Sequence, residues 1–132
     1  MLKFATKNKV EILYEPNGNF IAGNFLYNLE KFSKLKVNLD LCHLGMAVEN
    51  NTLGMDLDEF LKKIRKRVVY IHASAYIKKG EHYGIDKGKL DWRKVLDQLD
   101  FSKIKKIIIE LHHFEDFKET KKTLDRYLRS RR

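Results

Sequence analysis

The prediction of the fold starts from one segment, Val37-Asn38-Leu39-Asp40-Leu41-Cys42-His43. It has the composition of a short buried strand, and it ends in Asp-x-x-His. Three other strand-like runs also end in an acid or a histidine: Ile12-Leu13-Tyr14-Glu15, Val68-Val69-Tyr70-Ile71-His72 and Ile107-Ile108-Ile109-Glu110. These polar ends follow apolar strands directly, so they are expected to point out of the core towards a functional site.

Helical segments separate the four strands. Residues 24–33 carry apolar side chains at helical spacing, with Asn24 as the expected N-cap. Asp56 and Asp91 are expected to cap later helices, and residues 117–129 form the last one. Residues 45–55 are expected to be a loop, and residues 73–89 form a long polar segment.

The alternation of strand and helix predicts an α/β fold. Short, continuously apolar strands that alternate with helices form a parallel sheet with helices packed on its outside. The sequence shows no linker or low-complexity stretch, so residues 1–132 are expected to form one domain of four βα units.

The composition is that of a globular protein, with 43% hydrophobic and 34% charged residues. No apolar run approaches the roughly 18–20 residues of a membrane helix, and the N-terminus lacks the features of a signal peptide. A single cysteine, Cys42, excludes an internal disulfide, and a cytoplasmic location is expected. The net charge of +9 permits a polyanionic partner such as DNA, but a solvated basic surface is the favoured explanation.

The four strand ends predict a metal site. In parallel α/β folds the carboxyl ends of the strands form one face, so Glu15, Asp40, His72 and Glu110 are expected to converge. Each residue alone has an ordinary structural explanation, such as a helix cap, but four strands of four ending this way favours a shared site. Three carboxylates and an imidazole suit a divalent ion such as Mn, Mg, Co or Zn.

Two sequence segments resemble one known superfamily, the xylose isomerase-like TIM barrels. Residues 40–43 resemble its Asp-x-x-His strand motif, and residues 82–92 resemble its His-x-x-x-Gly-x-Gly-x-Ile-Asp-Trp segment. Glu15-Pro16 is similar to the Glu-Pro of ketose epimerases. The superfamily includes sugar isomerases, ketose 3-epimerases and endonuclease IV. The resemblance runs from about residue 9 to residue 128 and implies the C-terminal half of a (β/α)8 barrel, with four parallel strands and outer helices.

The resemblance implies a divalent-metal-dependent isomerase or epimerase. The metal would be held by Glu15, Asp40, His72 and Glu110, and it would bind the oxygens of an open-chain sugar or sugar phosphate. Glu15 and Glu110 would also transfer the substrate proton through an enediolate. His43, His82 and Lys78 are the further candidates. His43 and Lys78 would bind sugar oxygens, or His43 and His82 would form a second metal site.

Two other functions stay open. The first is an abasic-site DNA endonuclease that resembles endonuclease IV and uses zinc. Against it, Gly80 stands where a zinc-binding Asp is expected, two residues before His82. The second is a non-catalytic half-barrel that only binds metal.

The implied half-barrel has open edges and an uncovered interior, which favour association. Three accounts stay open, namely a fragment of a longer protein, a pair of half-barrels and an open sheet. We expect a half-barrel that pairs with a second copy or with a missing N-terminal half. The expected partners are therefore a small sugar, with DNA as the alternative, and another half-barrel, with no membrane.

Overall fold

The computed structural model describes residues 2–78 and 80–131. In chain order it contains α1 (Leu2–Lys7), β1 (Leu13–Tyr14), α2 (Ala22–Lys31), β2 (Lys36–Asp40), α3 (Leu41–Glu49), α4 (Leu57–Ile64), β3 (Val68–Ala73), β4 (Ala75–Ile77), β5 (Gly80–Tyr83), α5 (Trp92–Asp97), β6 (Lys106–Ile109) and α6 (Phe117–Ser130). A single 3-10 turn, Phe114–Asp116, joins β6 to α6.

Four parallel strands form the main sheet, in the order β1-β2-β3-β6. Each is followed by a helix before the next begins, so the predicted four βα units and the α/β fold are confirmed. The register pairs Asp40 with His72, and His72 with Ile108. Neighbouring strands therefore end at the same level, which brings their carboxyl-terminal side chains to one edge.

The core lies between this sheet and the helices. Val37, Leu39 and Ile71 point to the helix side of the sheet and are fully buried. They belong to a cluster that also contains Phe60 of α4 and Leu96 of α5. The helices α4 and α5 begin where expected, because Asp56 accepts a hydrogen bond from the Glu59 N–H and Asp91 caps α5 in the same way.

Asp86 joins the long connection before α5 to the two last helices. Its carboxylate accepts hydrogen bonds from Trp92 Nε1 at 2.9 Å and Thr123 Oγ1 at 3.1 Å, and pairs with Arg93. Burial would raise the pKa of Asp86, but these partners outweigh it and hold the pKa below its usual value.

The face of the sheet that points away from the helices carries polar side chains. Asn38 pairs with Tyr70 in the register, and Tyr70 pairs with Lys106. Because side chains alternate along a strand, these residues share the face that carries Asp40 and His72. The Lys106 ammonium lies 5.4 Å from the Tyr70 ring, and Ile108 on this face is 39% exposed.

The sheet curves until its two edges approach each other on this face. Lys105, just before β6, places its Nζ 2.8 Å from both carboxylate oxygens of Glu11, just before β1. β1 and β6 are the outer strands of the sheet, so this pair connects its two edges. The curvature is that of a partial barrel, in agreement with the predicted fold class.

The predicted loop over residues 45–55 is wrong in its first part, where α3 extends to Glu49. Leu41, Cys42 and His43 accordingly belong to this helix and not to the strand. Every residue from Leu41 to Ala47 is buried, so the helix lacks the one-sided apolar pattern by which helices are recognised. Its buried environment, between the sheet and the 75–83 hairpin, hides the helical period.

Asn24 is not an N-cap, because α2 begins two residues earlier at Ala22. No side chain caps this helix; the Ala22 N–H instead donates to the Leu53 carbonyl at 2.9 Å. A distant backbone partner therefore replaces the local cap.

Two further differences concern strands. β1 is shorter than predicted, and the long polar segment over residues 73–89 contains the antiparallel hairpin formed by β4 and β5. Gly88 allows this segment to pack closely, because a Cβ there would lie 2.8 Å from the Tyr76 carbonyl oxygen.

No helix among residues 2–78 and 80–131 is long and apolar enough to cross a bilayer.

Candidate metal centre

The four predicted ligands lie at the carboxyl ends of the four parallel strands. Asp40 ends β2 and His72 lies near the end of β3, while Glu15 and Glu110 directly follow β1 and β6. The structure brings all four near one atom, His72 Nδ1. Glu15, Asp40 and His72 each offer a ligand atom within 4.8 Å of the other two, whereas Glu110 lies outside this group. The nearest oxygens are Glu110 Oε2 at 2.6 Å, Asp40 Oδ2 at 3.5 Å and Glu15 Oε2 at 3.7 Å.

Three buried atoms of this cluster lack hydrogen-bond partners. Asp40 Oδ2, His72 Nδ1 and Glu110 Oε2 are all buried, and none makes a hydrogen bond of acceptable geometry. Even the 2.6 Å approach between His72 and Glu110 is not directed as an N–H···O bond. An unpaired buried polar atom is costly, so three that converge are the arrangement expected of lone pairs directed at a cation.

The charge of the cluster also favours a bound cation. Three carboxylates surround one imidazole, so the group keeps a net negative charge even when His72 is protonated. Among the described residues, no lysine or arginine forms an ion pair with Glu15, Asp40 or Glu110. A divalent cation would neutralise this charge, and the donor set of oxygens with one nitrogen fits Mn, Mg, Co or Zn.

Asp40 is held ionised by its surroundings. Burial would raise its pKa, but the interaction with His72 and the hydrogen bond from the His43 N–H outweigh it, so the pKa is lowered. The pKa of His72 is raised, first by Asp40 and then, against the opposing effect of burial, by Glu110 and Glu15. The side chain of Asp40 is fully buried, which fixes its position.

Asp40 also caps α3. Its Oδ1 accepts the His43 N–H at 3.0 Å, which leaves Oδ2 free to face the cluster. The ordinary explanation of a strand-end Asp, a helix cap, therefore holds together with the proposed ligand role. The two oxygens serve different partners.

A second group of possible ligands shares Asp40 with His43 and His82. One ligand atom from each of the three lies within 4.8 Å of the others, and all three residues are buried. His43 Nδ1 is buried without a hydrogen-bond partner. The predicted metal site formed by His43 and His82 is thus geometrically possible. Asp40 would supply its carboxylate, because position 80, where a zinc-binding Asp was expected, is a glycine.

His82 is held in place by several contacts. Its φ of +56° is unusual for a residue with a side chain, and the surrounding contacts stabilise it. Its Nδ1 lies 3.1 Å from Ser74 Oγ, and its N–H donates to Cys42 Sγ at 3.2 Å. Burial raises the pKa of Cys42 to about 12, so the thiol stays protonated and acts as a packed acceptor.

Three other polar residues, Lys78, His112 and His113, have surroundings of their own. Lys78 is exposed in the turn between β4 and β5, and no described contact joins it to the four ligands. The His112 ring centroid lies 4.7 Å from that of His82, and His113 stacks on Tyr83 at 4.4 Å. His112 and His113 thus have packing partners, as expected of loop residues.

Sequence reasoning missed one polar residue in the cluster, Asn38. Its Nδ2 lies 2.5 Å from Glu15 Oε2 and 3.0 Å from His72 Nε2. The signal was present in the sequence, because Asn38 and Asp40 occupy alternate positions of an apolar strand and so share a face. A buried asparagine in a strand needs such a partner.

A family model described as xylose isomerase-like TIM barrel, AP endonuclease family 2, matches residues 1–131. No curated protein and no solved structure matches the chain significantly.

Proposed function

The chain belongs to the xylose isomerase-like TIM barrel family, and we propose that it is a divalent-metal-dependent isomerase or epimerase-like protein for a sugar or sugar phosphate. One observation carries the proposal. Ligand-type side chains from all four parallel strands surround His72 Nδ1, and three of their facing atoms are buried without partners. This arrangement is the one expected of a single metal centre.

Glu15, Asp40, His72 and Glu110 would hold the ion. The metal, when bound, would polarise the carbonyl and hydroxyl oxygens of the substrate. Glu15 and Glu110 come from the first and last strands of the sheet and approach His72 from the two strand edges. One carboxylate would remove a proton from the carbon next to the carbonyl, and the other would return it.

The test combines metal counting with proton exchange. Native mass spectrometry of the protein with Mn, Mg, Co or Zn should give one ion per set of four ligands. In D₂O, the loaded protein should introduce deuterium next to the carbonyl of a ketose or ketose phosphate, which NMR detects directly. A protein that binds metal but exchanges no substrate proton across a panel of sugars would leave the non-catalytic half-barrel as the better description.

A zinc-dependent endonuclease for abasic DNA is the second candidate, and two observations favour it. Asp40, His43 and His82 form a second possible metal group, and the net charge is +9. This function predicts more than one zinc per chain and DNA binding that weakens steeply with salt, because phosphate contacts release counterions. DNA affinity that is absent, or that does not change with salt, would exclude it.

We also propose that the protein associates with a second copy of itself. Among the described residues β6 pairs with β3 alone, and Ile108 is 39% exposed on the concave face. Free strand edges favour pairing with another chain. Light scattering over a range of concentrations should show a dimer, and Ile108→Lys should shift it to monomer. A wild-type protein that stays monomeric at every concentration would refute this part.

A further inference from the structure

A basic groove runs along the exposed face of α6. Five basic residues and one acidic residue, Asp125, line it, together with Phe117 at its start. The whole chain has 27 basic residues against 18 acidic ones, so positive charge is concentrated in this groove. The five basic residues are Lys118, Lys121, Lys122, Arg126 and Arg129.

Three of these cations are not neutralised by an acidic neighbour. Lys121 pairs with Asp125 at 2.5 Å. In the part of the chain that the structure describes, no carboxylate forms an ion pair with Lys118, Arg126 or Arg129. The groove between α4 and α5 differs, because four acidic residues line it together with three basic ones. The α6 groove is therefore the one suited to a polyanion.

Two aromatic rings stand at the start of the basic groove. Side chains three residues apart eclipse each other in a 3-10 turn, so the turn that joins β6 to α6 brings Phe114 against Phe117. Their ring centroids lie 5.9 Å apart and their planes are inclined by only 7°. Phe114 is 83% exposed and Phe117 is 37% exposed. Exposed aromatic rings beside a row of cations are the combination that binds single-stranded nucleic acid, because bases stack on the rings and phosphates follow the cations.

The packing of α6 disfavours a lipid bilayer as the partner. A helix that lies on a membrane presents a broad apolar face to it. The apolar side of α6 faces the protein instead, since Leu124 is 4% exposed and the Tyr127 ring centroid lies 5.2 Å from that of Trp92. Apart from Phe117, every residue that lines the groove is charged. The surface therefore fits phosphates and bases better than lipid tails.

We propose that the α6 groove binds single-stranded nucleic acid, with bases stacked on Phe114 and phosphates paired with Lys118, Arg126 and Arg129. Between Phe117 and Arg129 the helix rises about 18 Å, enough for a few extended nucleotides. None of the four proposed metal ligands lines the groove. The inference is therefore independent of the metal centre and of both functions proposed for it.

Fluorescence anisotropy with a labelled oligo-dT of about 15 nucleotides tests the electrostatic part, since such surfaces bind about 4–16 nucleotides. For the wild type, log K should fall with log salt with a slope of about −2 to −3.5, because three to five phosphate contacts contribute about −0.7 each. A protein with both Arg126→Gln and Arg129→Gln should bind more weakly, with a slope about 1.4 smaller in magnitude. Lys62→Gln with Lys66→Gln is the matched control, because it removes the same charge from the groove between α4 and α5, and it should keep the wild-type slope.

The stacking part has its own variants. Phe114→Ala should weaken binding of the same oligonucleotide by about 5- to 150-fold. Phe114→Trp should bind at least as tightly as the wild type, and its fluorescence should be quenched as bases stack on the indole. The native Trp92 is 3% exposed, so the wild-type emission should change little. Urea unfolding of each variant shows that it is folded, and oligo-U of the same length shows whether RNA is preferred to DNA.

Two results would overturn the inference directly, namely a wild-type protein that does not bind oligo-dT and a Phe114→Ala protein that binds it as tightly as wild type. Equally tight binding of polyglutamate, or of vesicles that contain phosphatidylserine, would also refute it, because neither offers a base to stack.

The metal centre is tested separately. Asp40→Asn should bind oligo-dT as the wild type does. Loss of binding in this variant would place the strand at the metal centre, as the endonuclease function requires, and not in the α6 groove. A protein that binds no divalent ion but keeps its affinity for oligo-dT would refute the metal centre and leave the groove assigned.

Discussion

Asp40→Asn should abolish stabilisation of the protein by divalent metal while leaving the fold intact. Asn keeps an oxygen that can accept the His43 N–H, so the cap of α3 survives. It replaces the facing carboxylate oxygen, Oδ2, with a group that cannot serve as an anionic ligand. The substitution therefore separates the two roles that Asp40 combines.

The size of the effect follows from linkage. Metal at 100 times its Kd adds about 2.7 kcal/mol to the free energy of unfolding, provided that it binds only the folded chain. The entropy of unfolding for a chain of 132 residues is about 280 cal/mol/K, so this stabilisation corresponds to a rise in Tm of about 10 °C. Asp40→Asn should show a rise near zero at the same metal concentration.

Thermal unfolding followed by circular dichroism, with and without metal, measures both values. Glu11→Gln is the matched control, because it removes a carboxylate that pairs with Lys105 before the start of β1 and β6, at the opposite end of the strands from the His72 contacts. It should keep the full metal-dependent rise. If Asp40→Asn retained the rise, or if Glu11→Gln lost it, the assignment of the ligands would be wrong.

Three further predictions concern the fold. The lowered pKa of Asp86 stabilises the folded protein above the unfolded pKa of about 3.9, and this stability is lost as pH falls through the folded pKa. In urea unfolding between pH 5 and 2.5, Asp86→Asn should therefore lose less of its free energy of unfolding with falling pH than the wild type does. An unchanged dependence of the free energy of unfolding on pH would refute this role. Phe60→Ala removes a fully buried ring and should lower the free energy of unfolding by about 3–5 kcal/mol. Phe114→Ala, at an 83% exposed position, should change it by less than about 0.5 kcal/mol. Similar losses of stability in the two variants would contradict the described core. Gly88→Ala places a Cβ 2.8 Å from a backbone oxygen and should lower the free energy of unfolding by about 1–3 kcal/mol. Gly23→Ala, in open space on α2, should raise it by about 0.5–1 kcal/mol. Chemical unfolding measures both, and a Gly88→Ala protein as stable as wild type would show that the close contact relaxes freely.

The order of elements was predictable because most elements carry local signals. Asp56 and Asp91 cap α4 and α5 as their side-chain chemistry indicates, and the apolar runs locate β2, β3 and β6. α3 was not predictable, because a helix buried on all sides has no polar face to mark its period. The start of α2 depends on the carbonyl of Leu53, which no local pattern reveals.

The meeting of the four candidate ligands was predictable for a topological reason. Parallel strands in register end at one edge, so the four strand-end side chains lie along that edge, and the curvature of the sheet then brings them together. The sequence could not show how Asn38 connects Glu15 to His72, because that contact depends on the curvature of the sheet. The sharing of Asp40 between two groups likewise depends on where the hairpin places His82.

The curvature that brings Glu15 and Glu110 to the same imidazole has a kinetic consequence. These two ligands are separated by about 95 residues, so ordering the chain between them costs about 4 kcal/mol of loop-closure free energy beyond a constant. A bound ion would act as a cross-link between the first and last strands, and it could form only after both had joined the sheet. Metal uptake would then report the last step of folding, and an ion already bound would slow the first step of unfolding.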